Sequence, residues 1–201
     1  MSTARPPDPI RFVSSDGTAL VGDLIVPNDP VMAAIVCHPH PQYGGNRFHP
    51  VVAAIHRALP EVGIAALRFD VRSDFDGGVG ELRDTHAALE LVADRVPAVP
   101  TLAIGYSFGA LMALGVAAET SAAVAIAPPL AMASDVAAPS VPCLLLAAEH
   151  DQFTNASSMR EATAHWTDCS VEVLHDADHF LVGHDRSIAE RVCTFATERL
   201  A

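Results

Sequence analysis

Short apolar runs alternate along this chain with stretches that are apolar on one side only. "MAAIVC" (32–37), "GIAALRF" (63–69), "TLAIGY" (101–106), "SAAVAIAP" (121–128) and "CLLLAAE" (143–149) hold almost no polar residue. Runs of that length and uniformity read as strands buried on both faces. "CSVEVLH" (169–175) completes the set, and an opening pair over 10–14 and 20–26 is joined by the turn signal "SSDGT". Helices are expected from Pro50 in "PVVAAIHRAL", over 81–96, over 107–119 in "SFGALMALGVAAE", over about 155–166, and over 185–200. In the second of these, Leu82, Leu89, Val92 and Val96 recur at helical spacing.

Apolar strands that alternate with helices predict an α/β fold, a mostly parallel sheet with helices on both faces. No repeat, low-complexity tract or long linker interrupts the pattern, so residues 1–201 read as a single domain. Between the runs ending "VAIAP" and beginning "CLLLAAE" lie only the residues "PLAMASDVAAPSVP". That connection is too short and proline-rich for a helical lid domain, so an open, shallow pocket is expected.

Composition removes several classes of function. Asp and Glu number 24 against 12 basic residues, a balance opposed to nucleic-acid phosphates and to anionic membrane surfaces. Every basic residue is Arg, and without lysine there can be no pyridoxal Schiff base, Walker-type phosphate loop or lysine nucleophile. No apolar run is long enough to span a bilayer, and "MSTARPPDPI" lacks the apolar centre of a secretory leader, so a cytoplasmic location is expected. Cys37, Cys143, Cys169 and Cys193 are widely spaced and read as reduced thiols, not as disulfides or a zinc site.

Candidate chemistry centres on "GYSFG", where Ser107 stands between Gly105 and Gly109 at the junction of a strand and a helix. A serine that only caps the helix is one explanation. The other is a nucleophile elbow, whose strained turn lifts the hydroxyl above the sheet and needs small neighbours two positions away. The helix that starts there aims its free N–H groups at the reaction site, and the backbone N–H of Phe108 can donate to an oxyanion. A serine hydroxyl needs a base, and the base needs a carboxylate. Asp151, just past "CLLLAAE", and His179, in "HDADHF" past the last strand, follow in that order. Glu149 lies nearer the strand; Asp176 and Asp178 lie close to His179 and are expected to shape its loop.

"VCHPHPQYGGN" poses a second question. His38 and His40 could suggest a metal, yet no further ligand completes a recognisable site, and no metal is expected. Pro39 and Pro41 lack N–H groups, so His40 carries the one backbone donor between them and is a candidate second donor of an oxyanion hole. The two imidazoles would then anchor the loop.

Together, "HPHPQYGGN", "LRFD", "FDGGVGE", "GYSFGA", "APP", "EHD" and "ADHF" resemble a family of small, lidless α/β-hydrolases related to dienelactone hydrolases and to esterase- and peptidase-type serine hydrolases. The resemblance runs from about residue 10 to the C-terminus. It implies Ser107 as nucleophile, His179 as base and Asp151 as acid, with backbone donors from His40 and Phe108. It departs after "LRFD", where the family carries a longer arginine–glycine loop and only "VRSD" stands here. The expected activity is hydrolysis of short acyl esters or thioesters, a small-molecule substrate class, without an organic cofactor. Acyl transfer, peptidase activity, and a non-catalytic ligand-binding homologue are the alternatives.

Overall fold

The structure, a computed structural model, describes residues 9–133 and 136–199. The first eight of the N-terminal residues read above against a secretory leader, two residues in the connection read as too short for a lid, and the end of the last predicted helix lie outside them.

Among the described residues one sheet carries eight strands: β1 (Ile10–Val13), β2 (Ala19–Ile25), β3 (Met32–Cys37), β4 (Ile64–Asp70), β5 (Thr101–Tyr106), β6 (Ala122–Ile126), β7 (Cys143–Ala148) and β8 (Cys169–Leu174). Their order is β1-β2-β4-β3-β5-β6-β7-β8. β1 and β2 pair antiparallel, as do β2 and β4; every later pairing is parallel. Parallel pairing requires crossovers, and α1 (Pro50–Ala58), α2 (Val79–Arg95), α3 (Phe108–Gly115) and α4 (Ala156–Ala162) supply four of them, while α5 (Asp185–Glu198) follows β8.

The central strands are apolar on both sides because both sides are covered. On one face Ala34, Val36, Ile104 and Val124 pack against Val52 and Ile55 of α1 and Val192 and Phe195 of α5. On the other, Ala33, Ile35 and Ala103 meet Leu89 and Val92 of α2 and Met112 of α3. Further along that face Leu145 packs with Met159 and Trp166. All four cysteines are free, and burial lifts the Cys37 thiol to about 12. Among the described residues, no helix is long and apolar enough to cross a membrane.

Two helices are shorter than their patterns predict. α3 ends at Gly115, where the chain turns to sink Val116 into the core, and a 3-10 turn over Ala117–Glu119 follows. α4 starts after Asn155, whose side chain accepts from the Ser158 N–H at 3.0 Å, and stops at Ala162. There the Thr163 hydroxyl bonds back to the Met159 carbonyl and Trp166 folds into the interior. The β6–β7 connection holds a single 3-10 turn, Leu130–Met132, among its described residues, and no lid domain stands there.

The parallel strands β3–β8 all end at one edge of the sheet. Crevices outside those carboxyl ends are where open α/β sheets bind ligands. The loops after β3, β5, β7 and β8 carry the residues described next.

Candidate active site

Ser107 follows β5 directly and adopts φ 55° and ψ −120°, a left-handed conformation that costs a non-glycine residue about 1–3 kcal/mol. Its N–H donates to the Ile126 carbonyl at 2.8 Å, and its own carbonyl accepts from Ala110 at 2.9 Å. These bonds hold the turn. Two glycines make it possible. A Cβ on Gly105 would overlap the Gly109 carbonyl, and a Cβ on Gly109 would overlap the carbonyl oxygens of Cys37 and His38. Gly109 is therefore where the elbow and the histidine–proline loop touch, backbone against backbone. Gly109→Ala is expected to lower stability by about 2–3 kcal/mol, because neither backbone can yield cheaply. Urea unfolding measures this, and a change too small to resolve would refute the contact.

The three separated side chains meet. Ser107 Oγ lies 2.9 Å from His179 Nε2, and His179 Nδ1 lies 2.8 Å from Asp151 Oδ2. The carboxylate can only accept, so Nδ1 carries the ring proton and Nε2 faces the hydroxyl as acceptor. His179 and Asp151 are each 6% exposed, which shields the pair from water. The other carboxylate oxygen of Asp151 accepts from the main-chain N–H groups of Phe153 (2.7 Å) and Thr154 (3.1 Å). Burial pushes the Asp151 carboxyl upward, but the His179 ring N–H and those two backbone donors outweigh it and hold the group below its ordinary value.

The histidine–proline loop is tied down by its own imidazoles. His38 Nδ1–H donates to the Pro39 carbonyl at 2.6 Å, and its Nε2 accepts from the Val71 N–H at 3.2 Å. Both nitrogens are occupied by backbone partners, and burial lowers the pKa of the ring. His40 Nδ1 accepts from the Gln42 N–H at 3.2 Å, and its ring packs 4.9 Å from Phe108 and 4.4 Å from Phe75. Arg47 fastens the far end, with its N–H on Asp70 at 2.8 Å and its guanidinium bonded to Asp23 and Asp70. The backbone N–H groups of His40 and Phe108 take no hydrogen bond among the described residues.

The rival carboxylates are engaged elsewhere. Glu149 accepts from His175 Nδ1 and the Asp176 N–H; Asp178 accepts from the Phe180 N–H and shapes the loop. Glu149, His150 and Asp176 form an exposed group with ligand atoms within 4.8 Å of one another.

Some contributors had no clear sequence signal. The Tyr106 hydroxyl donates to the main-chain carbonyl of His179 at 2.7 Å and so fixes the height of that loop; burial lifts the phenol to about 12. Its place immediately before Ser107 was the available hint. Phe153 and Phe180 flank the imidazole edge-on, at 4.6 Å and 6.1 Å. His49, 5.1 Å from the Tyr106 ring, joins the cleft wall from the start of α1. The short β4–α2 connection is held by Arg72, whose N–H and guanidinium bond the fully buried Asp84 at 2.7–3.0 Å, and by Glu81, which accepts from Asp76 and Gly78. Phe75 in that connection walls the cleft.

The cleft above Ser107 has a volume of about 1110 Å³. It is open, as expected from a missing lid, and extends over residues of several loops. The loops after β4 and β6 build walls that a lid would otherwise provide.

The mostly parallel eight-stranded sheet, with helices on both faces and no lid domain among the described residues of the β6–β7 connection, is a lidless α/β-hydrolase fold. An α/β serine hydrolase without lid from Xanthomonas campestris superimposes with a TM-score of 0.81 at 28% identity, over 94% of this chain and 94% of that one. An α/β serine hydrolase homologue from Coxiella burnetii gives a TM-score of 0.86 at 24% identity over 96% and 99%, and shares the fold. No family model matches the sequence. The chain belongs to the same family as an uncharacterized protein of Rickettsia prowazekii (strain Madrid E), 30% identical over 175 residues, 77% of this chain and 73% of that protein.

Proposed function

We propose that this protein hydrolyses carboxylic esters or thioesters, short acyl esters among them, through an acyl-enzyme on Ser107. The observation that carries the reading is the continuous relay from Ser107 Oγ through His179 to Asp151, at 2.9 and 2.8 Å. In the first half-reaction His179 Nε2 accepts the hydroxyl proton while Oγ bonds to the carbonyl carbon. Asp151 keeps Nδ1 protonated and stabilises the imidazolium. The carbonyl oxygen becomes an oxyanion, for which the free N–H groups of His40 and Phe108 are the donors. Collapse of the tetrahedral intermediate breaks the bond to the leaving alkoxide or thiolate, which takes the proton from His179. Water then repeats the sequence, releases the acid and restores Ser107.

The positive φ of Ser107 and the contact between Gly109 and the histidine–proline loop support the same reading, because both bring backbone donors close to the nucleophile. Likeness to a serine hydrolase at 28% identity supports it further. A fluorophosphonate probe tests it. Wild-type protein is expected to be labelled at Ser107 and Ser107→Ala to stay unlabelled. Equal labelling of the two, or of neither, overturns the proposal.

A further inference from the structure

From Phe108 to Ala118 the chain carries no polar or charged side chain. A helix apolar all round is normally buried all round. Here Leu111 is only half-buried, and Gly115 and Ala118 are exposed. Leu111 and Gly115 lie four apart on one face of α3, whose N-terminal end is Ser107; Ala118, on the 3-10 turn beyond the helix, lines the same cleft, and together they form a stripe that begins at the reactive hydroxyl. From Ser107 to Gly115 the stripe is about 12 Å long at the rise of an α-helix.

The cleft runs along this stripe. Leu111, Leu114, Gly115 and Ala118 form part of its lining, with Phe75 and Pro139 contributed by the flanking connections. Among the described residues no Asp, Glu or Arg lines it, although the chain holds 24 acidic and 12 basic residues. A mostly apolar trough, whose histidines His40, His49 and His179 stand near the nucleophile, is complementary to a neutral alkyl chain, and an acetyl group would leave most of it uncovered.

We propose that the stripe is an alkyl-binding arm and that the preferred substrates are neutral esters or thioesters bearing an octyl- to decyl-length chain. This rests on Ser107 being the nucleophile. Each methylene buried there contributes roughly fourfold in kcat/KM, until the arm is full. The chain belongs to the acid or to the alcohol, and two substrate series separate the cases: p-nitrophenyl alkanoates and alkyl acetates, each from two to twelve carbons.

One series is expected to rise steeply to the octyl or decyl member and then level off. In Ala118→Glu the ratio of kcat/KM between the decyl and two-carbon members of that series collapses at least tenfold. Ala118→Trp, which fills the arm without a charge, gives the same collapse. Two flat series, or unchanged ratios in both variants, overturn the arm while leaving ester hydrolysis intact. Calorimetric titration of Ser107→Ala with decyl acetate and with ethyl decanoate keeps the two ideas separate. If the wild type turns over no ester, saturable binding that Ala118→Glu abolishes still upholds the arm, and no binding of either ester overturns it.

Discussion

Ser107→Ala, His179→Ala and the double variant are expected to lose the same amount of ester turnover, on the order of a millionfold in kcat. The reason lies in the relay. Ser107 Oγ has one proton acceptor, His179 Nε2 at 2.9 Å, and the imidazole has one task, moving that proton out and back. Once either is missing, the other has nothing left to act on, so the second substitution adds no further loss. What is expected to survive comes from binding and from the proposed oxyanion donors, the backbone N–H groups of His40 and Phe108, which neither substitution touches. Single-turnover kinetics on an activated ester would measure this. Losses that multiply in the double variant would show that the two side chains act independently, and the shared relay would have to be abandoned.

Asp151→Asn is expected to reduce kcat by roughly ten-thousandfold with the fold intact. An asparagine can keep its oxygen on the Phe153 and Thr154 N–H groups, which already fix that side of the carboxylate. Its amide nitrogen then faces His179 Nδ1, a donor against a donor, and drives the ring proton to Nε2. In that tautomer the imidazole can no longer take the proton of Ser107. Stability supplies a separate readout. Asp151 titrates below its ordinary value in the folded protein, whereas the unfolded chain has the usual value of about 3.9. Between the two, the unfolded state binds more protons, so the carboxylate's contribution is fully present above the unfolded value and is lost as pH falls through the folded one. Wild type is therefore expected to exceed Asp151→Asn in stability at neutral pH, with the gap closing in acid. Denaturant unfolding at a series of pH values measures it. A gap that widens in acid would mean that Asp151 is not held as a carboxylate.

Much of the fold was legible because its strands are buried on both faces and therefore apolar throughout. "MAAIVC" reads as a strand and is one, residue for residue. The boundaries that moved were set by contacts the local pattern does not encode. α3 stops where Val116 enters the core, and α4 stops at Ala162, where the Thr163 hydroxyl bonds back to Met159 ahead of the buried Trp166. α2 starts two residues earlier than its apolar spacing indicates, because Glu81 reaches back to the Gly78 N–H and caps the turn. The pocket was less legible. Residues of the loops after β4 and β6 line it, and a missing lid carries no information about them.

By itself the sequence determined the alternation of strands and helices, the small residues around Ser107, and a carboxylate and an imidazole that follow in usable order after later strands. These are local matters of residue size, hydrophobic period and available protons. Only the tertiary structure decided that the three groups stand at hydrogen-bond distance, that Tyr106 holds the His179 loop from below, and that an apolar stripe of α3 opens into the cleft. Side chains separated by dozens of residues acquire a mutual distance only through the pairing and twist of the sheet between them, and no short stretch of sequence encodes that.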